Sequence, residues 1–291
     1  MTEATPSSGA GHAAPDLPAP GLPALDLPAP GVRLSARRKA ASTRAVLALI
    51  LREMSTSYGR SPGGYVWTIV EPVAALFMLA LVFSYLFRTP PLGSSFLVFY
   101  ATGMLPFMAY NSISNKIASA IQFSKPLLAY PSVTYIDAIV ARLILETMTQ
   151  LIVGFIIIAA ILIWTAEPVV LDFGAIALAI LMTMALGVGV GLTNSFLNSM
   201  FPIWVTLWAV MNRPLFLISG IFFLVEPLAK EYRDILLYNP LIHILPMMRS
   251  GFYATYDAPY ASPVYVFAFA IIPAVFGILM LYRYHKDILE I

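Results

Sequence analysis

The chain has 291 residues, of which 59% are hydrophobic and 11% are charged, and its mean hydropathy is +0.82. Soluble domains are about 45–50% apolar and about 25% charged, so this composition excludes a water-soluble globule and predicts an integral membrane protein. A formal net charge of +2 gives no indication of a nucleic-acid partner, and the lack of cysteine excludes disulfides, thiolate metal ligands and thiol catalysis.

The start of the chain differs in composition from the rest. Residues 1–31 contain seven of the 23 prolines and repeat the phrase Asp-Leu-Pro-Ala-Pro-Gly at 16–21 and 26–31. Because proline lacks a backbone donor and this stretch has no apolar block, we predict a disordered cytoplasmic leader over residues 1–32. The leader is either a docking tether for a partner or a dispensable tail, and its composition favours the tail.

The segment 33–60 has the features of an amphipathic helix at a membrane surface. It carries seven Lys and Arg residues beside an apolar block at 45–51. As a helix, this block is about 10 Å long, too short for the roughly 30 Å hydrocarbon core. Leu47, Leu51 and Met54 recur on one helical face. We predict an interfacial helix near anionic headgroups; the alternative is a solvated helix packed on a soluble partner.

Six stretches are apolar and long enough to cross a bilayer as helices. They cover residues 65–87, 96–114, 136–164, 173–197, 205–224 and 263–282. The sequence therefore predicts an all-α membrane domain with six transmembrane helices over residues 61–291.

The positive charges outside the spans indicate the orientation of the chain. Eleven Lys and Arg residues lie in the N-terminal segment, the second connection and the C-terminus, against four in the connections on the opposite side. Because positively charged loops remain in the cytoplasm, both termini are predicted to be cytoplasmic.

The cytoplasmic connection between spans two and three is predicted to be structured. Its apolar residues 117–123 predict a short helix. The dipeptides Lys125-Pro126 and Tyr130-Pro131 follow, and each predicts a turn because the residue before proline is disfavoured in a helix.

The outer connection between spans five and six is also too apolar for a plain loop. Two short pieces at 235–238 and 241–248 are separated by Asn239-Pro240. We predict two short helices that dip into the outer leaflet or cover a channel, because irregular backbone at membrane depth must be buried or line a wet cavity. Glu226 and Arg249 are predicted to belong to a solvated outer surface, with an adaptor contact as the alternative.

A few charged side chains fall within the predicted spans, where a central charge costs about 2.5–3.5 kcal/mol. Glu71 lies in span one, and Arg213 lies in the middle of span five. Arg142 and Glu146 are four residues apart in span three and can pair along one helix face. These residues either line a polar pathway or have a local role. In the second case the pair neutralises itself near the cytoplasmic surface and Glu71 caps a helix or pairs locally; Arg213 could also contact another subunit.

Small residues in span four predict close helix packing. Gly187, Gly189 and Gly191 alternate with valine, but they lack the GxGxxG spacing and the lysine of a nucleotide loop. Their apolar surroundings favour a packing role, with Gly187 and Gly191 on one face.

The sequence offers no chemistry that is typical of an enzyme. It contains no GxxxxGK[ST], HExxH or GxSxG motif, and His12, His243 and His285 are far apart. We therefore predict no catalytic residue, no metal site and no ATP bound by this chain.

Several segments resemble one membrane-protein family. They are residues 51–60 (LREMSTSYGR), 64–72 (GYVWTIVEP), 103–107 (GMLPF), 137–147 around Arg142 and 237–243 (LYNPLIH). Together they are similar to the transmembrane (permease) subunits of ABC-type capsular polysaccharide exporters, in the same order along the chain. The likeness covers residues 45–285 and does not include the proline-rich leader.

This resemblance implies a homodimer in the bacterial inner membrane, with a substrate channel at the dimer interface and two ATPase subunits that bind ATP and Mg²⁺. The cargo would be a lipid-linked capsular polysaccharide, with a periplasmic adaptor or co-polymerase as a further partner. The segment 33–58 would be a gate helix, and 116–135 would contain the coupling helix that docks on the ATPase. The split helices around Asn239-Pro240 would form the outer gate.

A sugar polymer is bound by hydrogen-bonding groups and by aromatic faces on which its rings stack. Aromatic residues make up 13% of the chain, and we hypothesise that Tyr58, Trp67 and Glu71 belong to the channel entrance; the alternative for the rings is an aromatic belt at the membrane interfaces. The candidate channel and gate residues are Arg52, Tyr58, Tyr65, Trp67, Glu71, Arg142, Glu146, Arg213, Asn239, Pro240 and His243. The candidate ATPase-coupling residues are Lys116, Gln122, Phe123, Lys125, Pro126, Tyr130 and Pro131.

Three other functions are compatible with parts of this pattern. An O-antigen or teichoic-acid exporter would have the same architecture with a different cargo. A drug or small-solute permease of the same superfamily is a second alternative. A membrane-bound sugar or lipid transferase is the alternative from a different class, and it would need carboxylates or histidines clustered at one interface.

Overall fold

The computed structural model describes residues 33–58, 64–128, 133–165 and 170–290. The predicted leader, Arg60, Tyr130 and Pro131 lie outside the described residues. Tyr58 and Tyr65 stand on described helices, but their side chains are not among those described.

The described part of the chain is built from ten α-helices. They are α1 (Arg33–Tyr58), α2 (Gly64–Leu86), α3 (Phe96–Ala118), α4 (Ala120–Leu128), α5 (Tyr135–Thr165), α6 (Phe173–Met200), α7 (Ile203–Leu217), α8 (Lys230–Leu236), α9 (Leu241–Ser250) and α10 (Pro263–Glu290). The prediction of an all-helical membrane protein is thus confirmed for these residues.

Five of these helices are long and apolar enough to cross a membrane, namely α2, α3, α5, α6 and α10. They coincide with five of the six predicted spans, and α3 and α10 extend several residues further than predicted. The remaining predicted span corresponds to α7, which has 15 residues. A helix of this length is about 22 Å long, shorter than the roughly 30 Å hydrocarbon core. The count of six spans therefore stays a prediction.

Helix α6 lies at the centre of the fold because its glycines let two neighbours approach closely. It packs mainly against α3 and α10. A Cβ at Gly187 would lie 3.0 Å from Ile113 of α3, and one at Gly189 would lie 2.2 Å from the carbonyl oxygen of Ala270 in α10. The prediction that these glycines serve helix packing is confirmed. Their alternation places α3 and α10 on different sides of α6.

Helix α3 is the most buried of the long helices. Phe99, Tyr100 and Leu105 from α3 form the main core with Leu186 of α6 and Ile244 of α9. The side chain of Ser95 caps α3 by accepting a hydrogen bond from the Val98 amide, and Asp172 caps α6 in the same way.

The connection between α3 and α5 differs in detail from its prediction. The predicted helix over 117–123 is divided at Ser119, where α3 ends and α4 begins. The turn predicted at Lys125-Pro126 is wrong, because Pro126 lies inside α4. Helix α4 ends only two residues beyond this proline, so its missing amide interrupts only the final turn.

Candidate transport pathway and the Arg142 node

One face of α2 is uncovered in the protomer. Trp67 is 60% exposed, and Val66 and Phe77 are exposed to the same extent. Glu71 is also exposed, although it lies inside an apolar span. A carboxylate in hydrocarbon is costly, so this open face of α2 needs water or a second protein beside it.

Helix α7 is held to the bundle by a few polar contacts. The Asn212 amide donates to Asn111 Oδ1 of α3. Trp204 Nε1 donates to Asn194 Oδ1 of α6 over 2.9 Å. No described residue of α7 is buried, and Arg213 is exposed. The structure thus places Arg213, like Glu71, on a surface that the protomer itself does not cover.

Three parts of the chain meet at the buried guanidinium of Arg142 in α5. Arg142 Nε donates to Glu53 Oε2 of α1 over 3.2 Å, and Nη2 lies 3.0 Å from Glu53 Oε1. Arg142 Nη1 donates to the Lys116 carbonyl oxygen over 3.0 Å and to Ser119 Oγ over 2.7 Å. The guanidinium also lies 4.3 Å from the ring centre of Phe123 in α4. We call these five residues the Arg142 node.

Arg52 adds a second cation to Phe123, since its guanidinium lies 5.3 Å from the same ring centre. The Phe123 ring is therefore in cation–π range of side chains from both α1 and α5. Glu53 was not among the candidate residues. Its signal in the sequence is that it is the one carboxylate among seven basic side chains of the segment 33–60.

The predicted pairing of Arg142 with Glu146 is wrong. Arg142 pairs with Glu53 instead, and Glu146, which is buried, accepts hydrogen bonds from Ser112 of α3 and from Gln150. The physical reason is that Glu53 and Ser112 reach the two groups from other helices, while Gln150 reaches Glu146 along α5. Glu146 therefore joins α5 to α3 within the membrane.

The coupling candidates lie on or next to α4. Gln122 Nε2 donates to the Asn198 carbonyl oxygen near the end of α6 over 2.9 Å. Lys125 and Pro126 are exposed, and the half-buried Lys116 contributes its carbonyl group to the Arg142 node. Helix α4 thus packs against α5 and α6 on one side and, with Lys125 and Pro126, is exposed on another.

The connection between α7 and α10 contains two short helices, of which α9 corresponds to the predicted piece 241–248, while α8 lies mostly before the predicted piece 235–238. Asn239 Nδ2 donates to the Ile218 carbonyl oxygen over 3.1 Å, and its Oδ1 accepts the Leu241 amide over 3.1 Å. Pro240 is the N-cap residue of α9. Asn239 therefore accepts the first amide of α9 and ties this helix to the end of α7.

His243 is buried beneath this turn. Its Nε2 lies 2.8 Å from the Leu237 carbonyl oxygen, and its Nδ1 lies 3.0 Å from the Tyr260 carbonyl oxygen and 3.2 Å from the Ser262 amide. The ring connects the end of α8 with the start of α10. This arrangement is structural within the protomer and leaves no ring nitrogen directed at a ligand.

Arg249 of α9 is only 1% exposed, so its prediction as a solvated surface residue is wrong. Its Nη2 donates to the Ile221 carbonyl oxygen over 3.0 Å, and Nη1 approaches the Phe223 carbonyl oxygen at 3.4 Å. The guanidinium lies 4.2 Å from the Phe99 ring centre. The reason for burial is that residues 218–225 are not helical, so their carbonyl groups need a donor from elsewhere.

Above Arg249, Glu226 accepts hydrogen bonds from two tyrosine hydroxyls. The donor-to-acceptor distances are 2.6 Å for Tyr256 and 3.1 Å for Tyr260. Burial, together with the hydrogen bond to Glu226, raises the pKa of Tyr256, and burial raises the pKa of Tyr260 to about 12. Both hydroxyls are therefore protonated donors at any physiological pH.

The chain was compared with known proteins. Residues 44–253 match the family model described as ABC-2 type transporter. The chain is 32% identical over 244 residues to the polysialic acid transport protein KpsM of Escherichia coli, an alignment that covers 83% of this chain and 93% of the relative.

Two further relatives are named for the export of capsule polysaccharide. The capsule polysaccharide export inner-membrane protein CtrC of Neisseria meningitidis serogroup B is 26% identical over 251 residues, with 86% of this chain and 94% of the relative covered. The inner-membrane protein BexB of Haemophilus influenzae, which has the same description, is 26% identical with the same coverage. The resemblance found in the sequence is confirmed, and the chain belongs to the ABC-2 type transporter family of membrane proteins.

Proposed function

We propose that this chain is the transmembrane subunit of an ATP-driven exporter that moves lipid-linked capsular polysaccharide across the bacterial inner membrane. The names of its relatives support this cargo. The observation that carries the proposal is the open face of α2, where an exposed carboxylate and an exposed indole lie within an apolar span. This pair suits a hydroxyl-rich polymer, because the carboxylate accepts sugar hydroxyls and the indole stacks on sugar rings.

In this proposal, two copies of the chain face each other across the open face of α2, so that Glu71 and Trp67 line a hydrated channel. Each copy has six spans, with α7 and the following residues 218–224 together forming the fifth. Both termini are cytoplasmic, and α1 lies at the cytoplasmic interface as a gate helix. The positive charges outside the spans support this orientation.

The energy would come from two ATPase subunits that hold ATP and Mg²⁺, since the chain has no P-loop motif. The free side of α4, with Lys125 and Pro126, is the surface that we assign to the ATPase. On the outer side, α8, α9 and the residues around Asn239 form the exit gate. A periplasmic adaptor or co-polymerase would receive the polymer there.

The test is export in a capsule-producing host whose own permease gene is deleted. Expression of this chain with its ATPase partner is expected to restore surface capsule. The variants Trp67→Ala and Glu71→Gln are expected to reduce surface capsule about ten-fold or more when the protein is present in the membrane at its normal level. A ten-fold change corresponds to the loss of a side chain that contributes about 1.4 kcal/mol to substrate binding. Phe155→Ala is the matched control for Trp67→Ala, because Phe155 is also a strongly exposed aromatic residue but lies on α5.

Three outcomes would contradict the proposal. One is a purified complex that lacks any ATPase subunit, and another is transferase turnover by the chain alone. The third is restored export of an O-antigen or teichoic acid without restored capsule, which would assign the same architecture to a different cargo.

A further inference from the structure

The Arg142 node joins three segments that are far apart in the sequence. Glu53 belongs to α1, Ser119 and Phe123 belong to the α3–α4 break and to α4, and Arg142 belongs to α5. Glu53 and Arg142 are separated by 89 positions. The packing of α5 alone therefore cannot account for the position of this side chain.

The guanidinium uses all three of its nitrogens in this node. Nε and Nη2 contact both oxygens of Glu53, which is the two-pronged geometry that arginine forms with carboxylates. Nη1 is left to bridge the Lys116 carbonyl oxygen and Ser119 Oγ. A lysine has a single charged nitrogen, so it cannot bind both oxygens of Glu53 and also bridge Lys116 and Ser119. The site thus requires arginine by its geometry as well as by its charge.

A buried ion pair is weak support for fold stability, because desolvation of the two charges offsets their attraction. Apolar side chains would hold α1 against α5 at least as well. The ion pair adds a fixed register between α1, the α3–α4 break and α5. The contacts of Nε and Nη2 with Glu53, and those of Nη1 with Lys116 and Ser119, can be made together in only one arrangement of these segments. A fixed register matters where movement of one segment has to be passed to another.

Helix α4 is linked to the same guanidinium through the Phe123 ring. This ring lies 4.3 Å from the Arg142 guanidinium and 5.3 Å from that of Arg52. A displacement of α4 therefore moves Phe123 and Ser119 relative to Arg142. If Arg142 moves with α4, either Glu53 moves with it or the two contacts between Arg142 and Glu53 are lost.

We propose that Arg142 is a positioning residue that passes a displacement of α4 to α1 through Glu53. This inference rests on the proposed function, in which α4 receives the movement of the ATPase. Helix α1 is separated by five residues from α2, which carries Trp67 and Glu71. Movement of α1 is thereby connected along the chain to the open face of α2.

The first test is a double-mutant cycle on export. Glu53→Ala and Arg142→Ala are each expected to reduce surface capsule, and the double variant is expected to be no worse than Arg142→Ala alone, because both changes remove one interaction. Arg88→Gln is the matched control and should export normally, since Arg88 is an exposed arginine in the first outer loop. If the fold-loss of surface capsule in the double variant equals the product of the two single losses, the two residues act independently and the proposal is overturned.

The second test measures the movement itself and separates coupling from mere folding. The chain has no cysteine, so Leu51→Cys places a single thiol on an exposed position of α1. In reconstituted complexes with the ATPase, its maleimide labelling rate is expected to change about five-fold or more between the nucleotide-free and vanadate-trapped states, as for a modest allosteric coupling. Arg142→Gln and Arg142→Lys are expected to abolish this change, while Arg88→Gln leaves it intact.

The outcomes distinguish this proposal from the proposed function. If wild-type export fails but labelling responds to nucleotide only when Arg142 is present, the coupling role stands and the cargo is wrong. If Arg142 variants do not accumulate, Glu53→Gln decides, because it keeps a hydrogen-bonding side chain in place. A nucleotide response that persists in Glu53→Gln or Arg142→Gln would refute the coupling role.

Discussion

At the scale of single residues, the charged side chains within the apolar part of the chain fall into two groups. Arg142 and Arg249 are buried and have defined partners, one a carboxylate and the other backbone carbonyl groups. Glu71 and Arg213 are exposed in the protomer. The first group joins elements within one chain, and the second marks surfaces that water or another subunit has to cover.

Arg249→Met is expected to destabilise the part of the protein around α9. The methionine replaces the volume of the side chain but leaves the carbonyl groups of Ile221 and Phe223 without a donor, and a hydrogen bond to a charged group contributes about 1.5–3 kcal/mol. A lower Tm of the purified protein in detergent is the expected result. Arg249→Lys should recover part of the loss, and an unchanged Tm in Arg249→Met would show that the contact is dispensable.

At the scale of elements, α6 organises the bundle through residues that lack side chains. Gly189 of α6 lets the backbone of α10 approach closely. Gly277 of α10 does the same for α6, since a Cβ at Gly277 would lie 2.6 Å from the Leu192 carbonyl carbon. The two helices therefore contact each other through small residues in both directions. This is the close backbone approach that stabilises helix pairs in membranes.

Gly189→Leu is expected to prevent α6 and α10 from packing. The added atoms would collide with the backbone at Ala270, which cannot turn away as a flexible side chain can, so the cost exceeds the usual 1–3 kcal/mol or so of overpacking. Loss of the folded protein from membranes, measured by fluorescence-detected gel filtration, is the expected result. Gly154→Leu is the matched control, because a Cβ at Gly154 meets no atom within 4 Å; equal behaviour of the two variants would contradict the packing role.

Most of the helices could be predicted from the sequence, because the length of an apolar stretch is a local signal. Proline position was a weaker signal, since Pro126 lies inside α4. The packing role of Gly187 and Gly191 was also readable from their spacing. The partner of Arg142 was not, since Glu53 lies on a different helix and its neighbour Glu146 offered a simpler pairing within α5. Arg249 was misjudged for a similar reason: its partners are backbone carbonyl groups, which have no signature in the side-chain pattern.

At the scale of the whole molecule, a single protomer leaves much of α2 and α7 uncovered. Exposed apolar side chains there are expected for lipid contact, but Glu71 and Arg213 are not. The proposed homodimer would cover one of these surfaces and enclose water at the other. The protomer alone is therefore half of the proposed pathway.

Cross-linking tests the arrangement of the two copies. Trp67→Cys, in a chain that otherwise has no cysteine, is expected to yield a covalent dimer with a bis-maleimide in native membranes. Phe155→Cys should not, because the proposed dimer interface lies on α2 and not on α5. A dimer formed at Phe155 and absent at Trp67 would place the interface on α5 instead.

The shortness of α7 has a consequence for the lipids around the protein. Helix α7 covers about 22 Å of a hydrocarbon layer of roughly 30 Å, so the rest of the proposed fifth span is the non-helical stretch 218–224. The bilayer avoids contact with the polar backbone groups of this stretch by thinning locally, as it does beside a span that is too short. A lipid-linked cargo next to α7 would then have a shorter distance to move its polar headgroup across the membrane. Transport by reconstituted protein is accordingly expected to slow as the acyl chains of the host lipid are lengthened, and a rate independent of chain length would contradict this role for α7.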